Sequence, residues 1–91
     1  MEWYRFIIHG NVQGVFYRKC VSQAMMKKQF KGYIKNLPNG TVEVVSEIFD
    51  DDFEQFFSTL QEGSPLSTVD DIVYEIIYDA VFTTDGFEIR K

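Results

Sequence analysis

The amino-acid sequence predicts an α+β fold in which an antiparallel sheet carries two helices on one face. Segments with apolar residues at every second position alternate with two segments of helical spacing. The order is strand, helix, strand, strand, helix, strand, and a tight turn joins the two central strands. A doubly wound or all-helical fold would not place a hairpin there. A length of 91 residues suits one domain, so we expect residues 1–91 to form a single domain.

The first half of the chain provides a strand, a helix and a hairpin. Residues Trp3–His9 alternate, which predicts a strand whose apolar face is formed by Tyr4, Phe6 and Ile8. Residues Tyr17–Gln29 predict an amphipathic helix whose apolar positions are Cys20, Val21, Ala24 and Met25. Gly32 is expected to end this helix. Two strands follow, Tyr33–Leu37 and Thr41–Ile48, separated by the strong turn sequence Pro38-Asn39-Gly40.

The second half adds a helix and two strands. Acidic residues at Asp50–Asp52 favour a helix N-terminus, and any of them can cap it. The helix then has an apolar stripe of Phe53, Phe56, Phe57 and Leu60. Gly63–Pro65 ends it, Asp71–Tyr78 predicts a fourth strand, and Phe87–Arg90 predicts a short last strand at a sheet edge. The complete order is that of the ferredoxin-like βαββαβ sandwich.

Composition excludes several classes of protein. The formal charge is −5, from 14 acidic and 9 basic residues, which argues against general nucleic-acid binding. No apolar run approaches the roughly 20 residues that a membrane helix needs, so we expect no membrane partner. A single cysteine, Cys20, cannot form an internal disulfide and fits a reducing, cytoplasmic location. Because Cys20 lies on the predicted core face, we expect it to be buried and unreactive.

The segment Gly10–Arg18 has the features of a phosphate-binding loop. It reads Gly-Asn-Val-Gln-Gly-Val-Phe-Tyr-Arg and joins the first strand to the first helix. Two glycines allow several N–H groups to point at one spot, and the helix N-terminus behind them favours an anion. Arg18 adds a planar, permanently charged group that matches two phosphate oxygens. The segment lacks the Gly-Lys-Ser/Thr of a Walker loop, and its glycine spacing does not fit a dinucleotide-binding fold.

The string Gly-x-Val-Gln-Gly-Val-x-x-Arg resembles the signature of the acylphosphatase family. The segment Gly32–Val44 is similar to the second family signature, and Gly63-Ser64-Pro65 and Phe87-Glu88-Ile89 are also similar. The resemblance implies hydrolysis of a small acyl phosphate, without metal or cofactor. It implies two catalytic residues, Arg18 on the phosphoryl oxygens and Asn36 orienting a water. It further implies a phosphate-binding loop formed by Val12, Gln13, Gly14, Val15, Phe16 and Tyr17.

The predicted topology itself brings the two signatures together. In this fold the first and second strands run parallel, with the third strand between them, so their C-terminal ends share one edge of the sheet. The loop leaves the first strand at that edge, and Asn36 ends the second strand. Two strand spacings separate them, roughly 10 Å. A phosphate and one water would fit that gap.

Other candidate residues have simpler interpretations. Gln13 is expected to brace the loop from inside, and Asn11 to be solvated. His9 has no nucleophilic partner for a triad. Asp50–Asp52 lacks the spacing of a calcium loop, so helix capping explains it better than a metal. Arg5, Lys19 and His9 are expected to add positive charge near the loop.

Two alternatives to an acylphosphatase stay open at this point. The same fold can serve as a non-catalytic anion-binding or regulatory module. A domain directed at carbamoyl phosphate, as in maturation proteins that carry a similar domain, would keep the chemistry and change the substrate. We expect a monomer, with the last strand either paired or free at an edge.

Overall fold

The computed structural model describes residues 2–78 and 86–90. Within them the chain follows the order of elements expected from the sequence. The elements are β1 (Glu2–Asn11), α1 (Tyr17–Lys27), β2 (Lys31–Asn36), β3 (Val42–Ile48), a 3₁₀ turn (Asp50–Asp52), α2 (Phe53–Glu62), β4 (Thr68–Ile77) and β5 (Phe87–Arg90).

The strands form a sheet in the order β4-β1-β3-β2-β5. Strand β1 is antiparallel to β3 and β4, and β2 is antiparallel to β3. The α+β, ferredoxin-like class is therefore confirmed. Strand β5 runs parallel to β2 and forms an edge, so the sheet is mixed rather than purely antiparallel. The last strand is thus paired on one side.

The hydrophobic core lies between one face of the sheet and both helices. Strand β1 contributes the three residues predicted from its alternation, Tyr4, Phe6 and Ile8. The predicted stripe of α2 is also confirmed, with two fully buried residues, Phe56 and Leu60, and two partly buried ones, Phe53 and Phe57. Alternation in β1 and three-to-four-residue spacing in α2 therefore identified the core-facing sides of these two elements.

The core face of α1 agrees only in part with the prediction, since Val21 and Met25 are buried as expected but Cys20 and Ala24 are half-buried. Its buried apolar residues are Tyr17, Val21 and Met25, spaced four residues apart. Cys20 is only half-buried, so the prediction of a buried Cys20 is wrong. Neighbouring residues are about 100° apart around a helix, so the choice between Cys20 and Val21 depends on which way the whole helix is rotated.

The end of α1 also differs from the prediction. Gln29 has a φ of 63° and occupies the left-handed position that usually holds glycine. The N–H of Phe30 donates to the Met25 carbonyl (3.0 Å), and the N–H of Gln29 donates to the Met26 carbonyl (3.1 Å). This pair of hydrogen bonds is a Schellman motif. Gly32 instead lies within β2.

Gly32 is required by the packing of the two central strands. A Cβ at this position would collide with the carbonyl oxygen of Val45 in β3. The glycine therefore permits close approach of β2 to β3 and has no part in ending α1.

Two boundaries in the second half need correction. Asp50–Asp52 forms a 3₁₀ turn before α2, and no side chain caps either element, so the capping prediction is wrong. The three carboxylates still lie at the positive end of the α2 dipole. Strand β4 begins at Thr68, three residues earlier than predicted. It is an edge strand, where the exposed side chains of Asp70 and Asp71 are tolerated.

Candidate active site

The Gly10–Arg18 segment and Asn36 share one cavity. Strands β1 and β2 flank β3 and are parallel to each other, so their C-terminal ends meet at one sheet edge. The cavity there has a volume of about 280 Å³. It is lined by Val12, Gly14, Phe16, Tyr17, Arg18, Lys19, Asn36 and Ile89. The topology predicted this proximity; Ile89 in the lining was not foreseen.

The loop has an unusual backbone where it enters α1. Gly14 has a φ of 71°, and Phe16 has a φ of 63°, which is uncommon for a residue with a side chain. Phe16 is the N-cap residue of α1 and makes no side-chain capping hydrogen bond. The first turn of α1 contains no acidic residue. The N–H groups at this helix start therefore face no carboxylate from their own turn, which favours an external anion.

Two side chains hold the loop from opposite sides. The Nε2 group of Gln13 donates to the carbonyl oxygens of Leu37 and Thr41, both at 2.8 Å, in the turn between β2 and β3. The hydroxyl of Ser64, which follows α2, donates to the Val15 carbonyl at 2.6 Å. Gln13 thus braces the loop as expected. Ser64 was not singled out for this role because its partner is 49 positions away.

Tyr17 fastens the start of α1 to the end of α2. Its ring is 1% exposed, and its hydroxyl donates to the carbonyl oxygen of Leu60 at 2.7 Å. Burial raises the pKa of the Tyr17 phenol, so it stays protonated and able to donate. A Cβ at Gly63 would press on the Tyr17 ring. This contact explains why the chain needs glycine directly after α2.

Arg18 is the second residue of α1 and lines the cavity. Its Nη1 group donates to the carbonyl oxygen of Arg90 in β5 at 3.2 Å. None of the ion pairs formed among the described residues includes Arg18. The guanidinium is therefore held against β5 by a neutral acceptor, and no carboxylate of residues 2–78 and 86–90 forms an ion pair with it.

Asn36 has an unused hydrogen-bond acceptor. Its Oδ1 atom is buried, and no donor of the described residues reaches it. A buried carbonyl oxygen without a partner costs about 1–3 kcal/mol, and such atoms are rare in native structures. Asn36 lines the same cavity as Arg18, so an amide with an unsatisfied oxygen lies at the candidate site.

Several predicted residues do not line the cavity. Arg5 extends from the opposite face of the sheet, where its Nε group pairs with Glu43 at 2.6 Å. That hydrogen bond raises the pKa of Arg5. His9 is exposed outside the cavity, and of the three expected cations only Lys19 lines it. Gln13 and Val15 belong to the loop but are absent from the cavity lining.

Comparison with known proteins identifies the family. The sequence model of the acylphosphatase family matches residues 4–89. The chain belongs to this family. An acylphosphatase from Bacillus licheniformis is 39% identical over 88 residues, which cover 97% of this chain and 93% of that protein.

Solved structures of other proteins agree with the fold. The crystal structure of acylphosphatase from Bacillus subtilis matches with a TM-score of 0.89 and 32% identity, and both chains are covered completely. A crystal structure of full-length HypF in the phosphate- and nucleotide-bound form matches with a TM-score of 0.77 and 29% identity. That match covers 99% of this chain but 12% of HypF.

Residues 2–78 and 86–90 contain no group of three or more His, Cys, Asp and Glu side chains placed to hold a metal ion. The helices within this part of the acylphosphatase chain are too short or too polar to cross a membrane.

Proposed function

We propose that this chain hydrolyses acyl phosphates, the mixed anhydrides of a carboxylic acid and phosphate, to a carboxylate and inorganic phosphate. Membership of the acylphosphatase family supports this activity. The observation that carries the proposed mechanism is the composition of the cavity. It combines a glycine-containing loop at a helix N-terminus, the Arg18 guanidinium and Asn36, whose Oδ1 has no partner among residues 2–78 and 86–90.

In this mechanism the loop and Arg18 bind the phosphoryl group. The N–H groups of residues 12–18 hold phosphoryl oxygens, and the Arg18 guanidinium contacts two of them. Contact with Arg90 keeps Arg18 near β5 before substrate arrives. The bound anion also meets the positive end of the α1 dipole. These groups stabilise the charge that spreads over the phosphoryl oxygens in the transition state.

Asn36 orients the attacking water. Its Oδ1 atom accepts a hydrogen bond from the water, which directs a lone pair of the water oxygen at phosphorus. A new bond forms between the water oxygen and phosphorus. The bond between phosphorus and the acyl oxygen breaks, and its electron pair leaves with the carboxylate. The water protons pass to the phosphate product and to solvent.

A carboxylate is a good leaving group, so the reaction needs neither a strong base nor a metal. Positioning and electrostatic stabilisation are sufficient for phosphoryl transfer of this kind. We therefore assign no cofactor. We further propose a single domain over residues 1–91, a monomer, and a cytoplasmic location suited to the unpaired thiol of Cys20.

The proposal is tested by following benzoyl phosphate hydrolysis through its ultraviolet absorbance, with a metal chelator present. We expect turnover that resists the chelator. Arg18→Gln should lower kcat/KM by about 10²–10³-fold, the scale of one lost preorganised donor. Lys27→Gln is the matched control, because it removes an exposed cation from the far end of α1. Near-normal turnover by Arg18→Gln would contradict the assigned role of Arg18.

Asn36→Ala separates water orientation from phosphate binding. We expect kcat to fall by about 10²-fold or more while inhibition by inorganic phosphate stays close to wild type. Asn11→Ala is the control, since Asn11 is exposed and outside the cavity lining. Phosphate binding without any turnover in the wild-type protein would favour the non-catalytic module instead. Faster hydrolysis of carbamoyl phosphate than of other acyl phosphates would favour the carbamoyl-phosphate alternative.

A further inference from the structure

The cavity lining combines buried or half-buried residues with two exposed apolar side chains. Val12 and Tyr17 are each 1% exposed and form its floor, next to Arg18 and Asn36. Two large apolar side chains in the lining are open to solvent. Phe16 is 65% exposed and Ile89 is 49% exposed. We call Phe16 and Ile89 the apolar rim.

The position of Phe16 is unfavourable for the fold itself. It adopts a left-handed φ of 63° at the N-cap of α1, where asparagine or glycine would be accommodated more easily. Its side chain is outside the hydrophobic core and takes part in none of the ring contacts formed among the described residues. Strained backbone of this kind occurs preferentially at functional sites.

Ile89 reaches the cavity from a separate part of the chain. It lies in β5, opposite Ile34 of β2, and is thus two residues along the strands from Asn36. The carbonyl of the next residue, Arg90, accepts the hydrogen bond from Arg18. An apolar side chain is therefore placed beside both proposed catalytic residues while half of its surface remains exposed.

We propose that the apolar rim is the binding site for the acyl group, and that this chain prefers acyl phosphates with extended apolar acyl groups. This inference rests on the proposed function. Once the phosphoryl group occupies the loop, the rest of the substrate must leave the cavity through its mouth. There an aliphatic or aromatic acyl group covers Phe16 and Ile89, whereas acetyl and carbamoyl groups are too small to do so. Lys19, also in the lining, attracts the phosphoryl charge that all these substrates share.

The test is a series of straight-chain substrates, namely acetyl, butyryl and hexanoyl phosphate. Their carboxylate leaving groups are nearly equal in basicity, so differences in kcat/KM report contacts of the acyl chain. We expect kcat/KM to rise by about 10-fold from acetyl to hexanoyl phosphate, the lower end of what added methylenes achieve in an enclosed pocket. For each variant we take the ratio of kcat/KM for hexanoyl phosphate to kcat/KM for acetyl phosphate. This ratio cancels any effect of the substitution on phosphate binding.

Phe16→Asn suits the left-handed backbone but removes the apolar ring, so the ratio should fall towards 1. Phe16→Leu should keep most of the preference. Ile89→Ser should reduce the ratio independently, which covers the case in which a change at Phe16 stops turnover. Met26→Asn removes an exposed apolar side chain outside this cavity and should leave the ratio unchanged.

The outcomes separate this inference from the proposed function. No hydrolysis of any of the three substrates would overturn both. Equal kcat/KM for all three would leave the acylphosphatase activity intact and overturn the apolar rim. A preference that survives both Phe16→Asn and Ile89→Ser would also overturn it. A preference that is lost in these two variants and retained in Phe16→Leu would support it.

Discussion

Replacing Ser64 with alanine tests whether the turn after α2 keeps the phosphate loop in shape. The Ser64 hydroxyl donates to the Val15 carbonyl at 2.6 Å, and Ser64 is 5% exposed. Removing a buried donor costs about 1–3 kcal/mol, and we expect about 1.5 kcal/mol because Val15 is only half-buried. For a domain of this size the unfolding midpoint should then fall by roughly 6–12 °C.

Ser64→Ala should also reduce activity, although Ser64 does not line the cavity. A freed Val15 carbonyl allows the loop to shift, and small displacements of positioning groups can cost up to ~10²-fold in rate. We expect kcat/KM for benzoyl phosphate to fall by about 10-fold and inhibition by inorganic phosphate to weaken in parallel. Calorimetry gives the midpoint, and the ultraviolet assay gives the rate.

The control is Ser58→Ala, which changes an exposed serine in α2. It should alter the unfolding midpoint by no more than ~4 °C and leave kcat/KM at the wild-type value. If Ser64→Ala loses stability but keeps wild-type kcat/KM and phosphate inhibition, the loop does not depend on this hydrogen bond. The reasoning would then be refuted for activity while holding for stability.

Two further predictions concern the sheet. Gly32→Ala forces a Cβ against the Val45 carbonyl and should lower the free energy of unfolding by about 3 kcal/mol, measured by urea titration. The control is Gly86→Ala, where a Cβ meets open space and the free energy of unfolding should change little. Equal effects of the two substitutions would contradict the steric argument. Burial, with the hydrogen bond to Glu43 second, raises the pKa of Tyr33 to about 12 from an ordinary value of 10.0. Unfolding therefore releases a proton from Tyr33 between pH 10 and 12, so the free energy of unfolding falls across that window. In the Tyr33→Phe variant the free energy of unfolding should fall less steeply with pH. Urea titrations of both proteins from pH 9 to pH 12 check this, and parallel slopes would count against it.

Much of the fold was predictable because its signals are local. Alternation in β1 identified Tyr4, Phe6 and Ile8 as core residues, and the spacing in α2 identified Phe56 and Leu60. Both patterns depend only on the geometry of the element itself. The rotation of α1 about its axis depends on how the helix packs against the rest of the fold, which local spacing does not show. The prediction therefore wrongly placed Cys20 in the core.

Glycine showed the same division between local and distant causes. Gly14 has a positive φ within the loop, as its turn sequence suggested. Gly32 does not have a positive φ. Glycine is needed there because the Val45 carbonyl on the neighbouring strand leaves no room for a Cβ. The helix before it ends at Lys27, and the left-handed position that follows holds Gln29, a residue that sequence rules do not favour there. Only the pairing of β2 with β3 shows that Gly32 serves close strand approach and not a turn.

The sequence by itself predicted the order of elements, the candidate phosphate loop and the candidate catalytic residues Arg18 and Asn36. Each of these features depends on residues that are close together in the sequence. The tertiary structure alone decided that Ser64 holds the loop, that Oδ1 of Asn36 is buried without a partner in the described part of the chain, and that Ile89 lies beside the cavity. The physical reason is that hydrogen-bond satisfaction and burial depend on which distant residues the folded chain brings within a few ångströms.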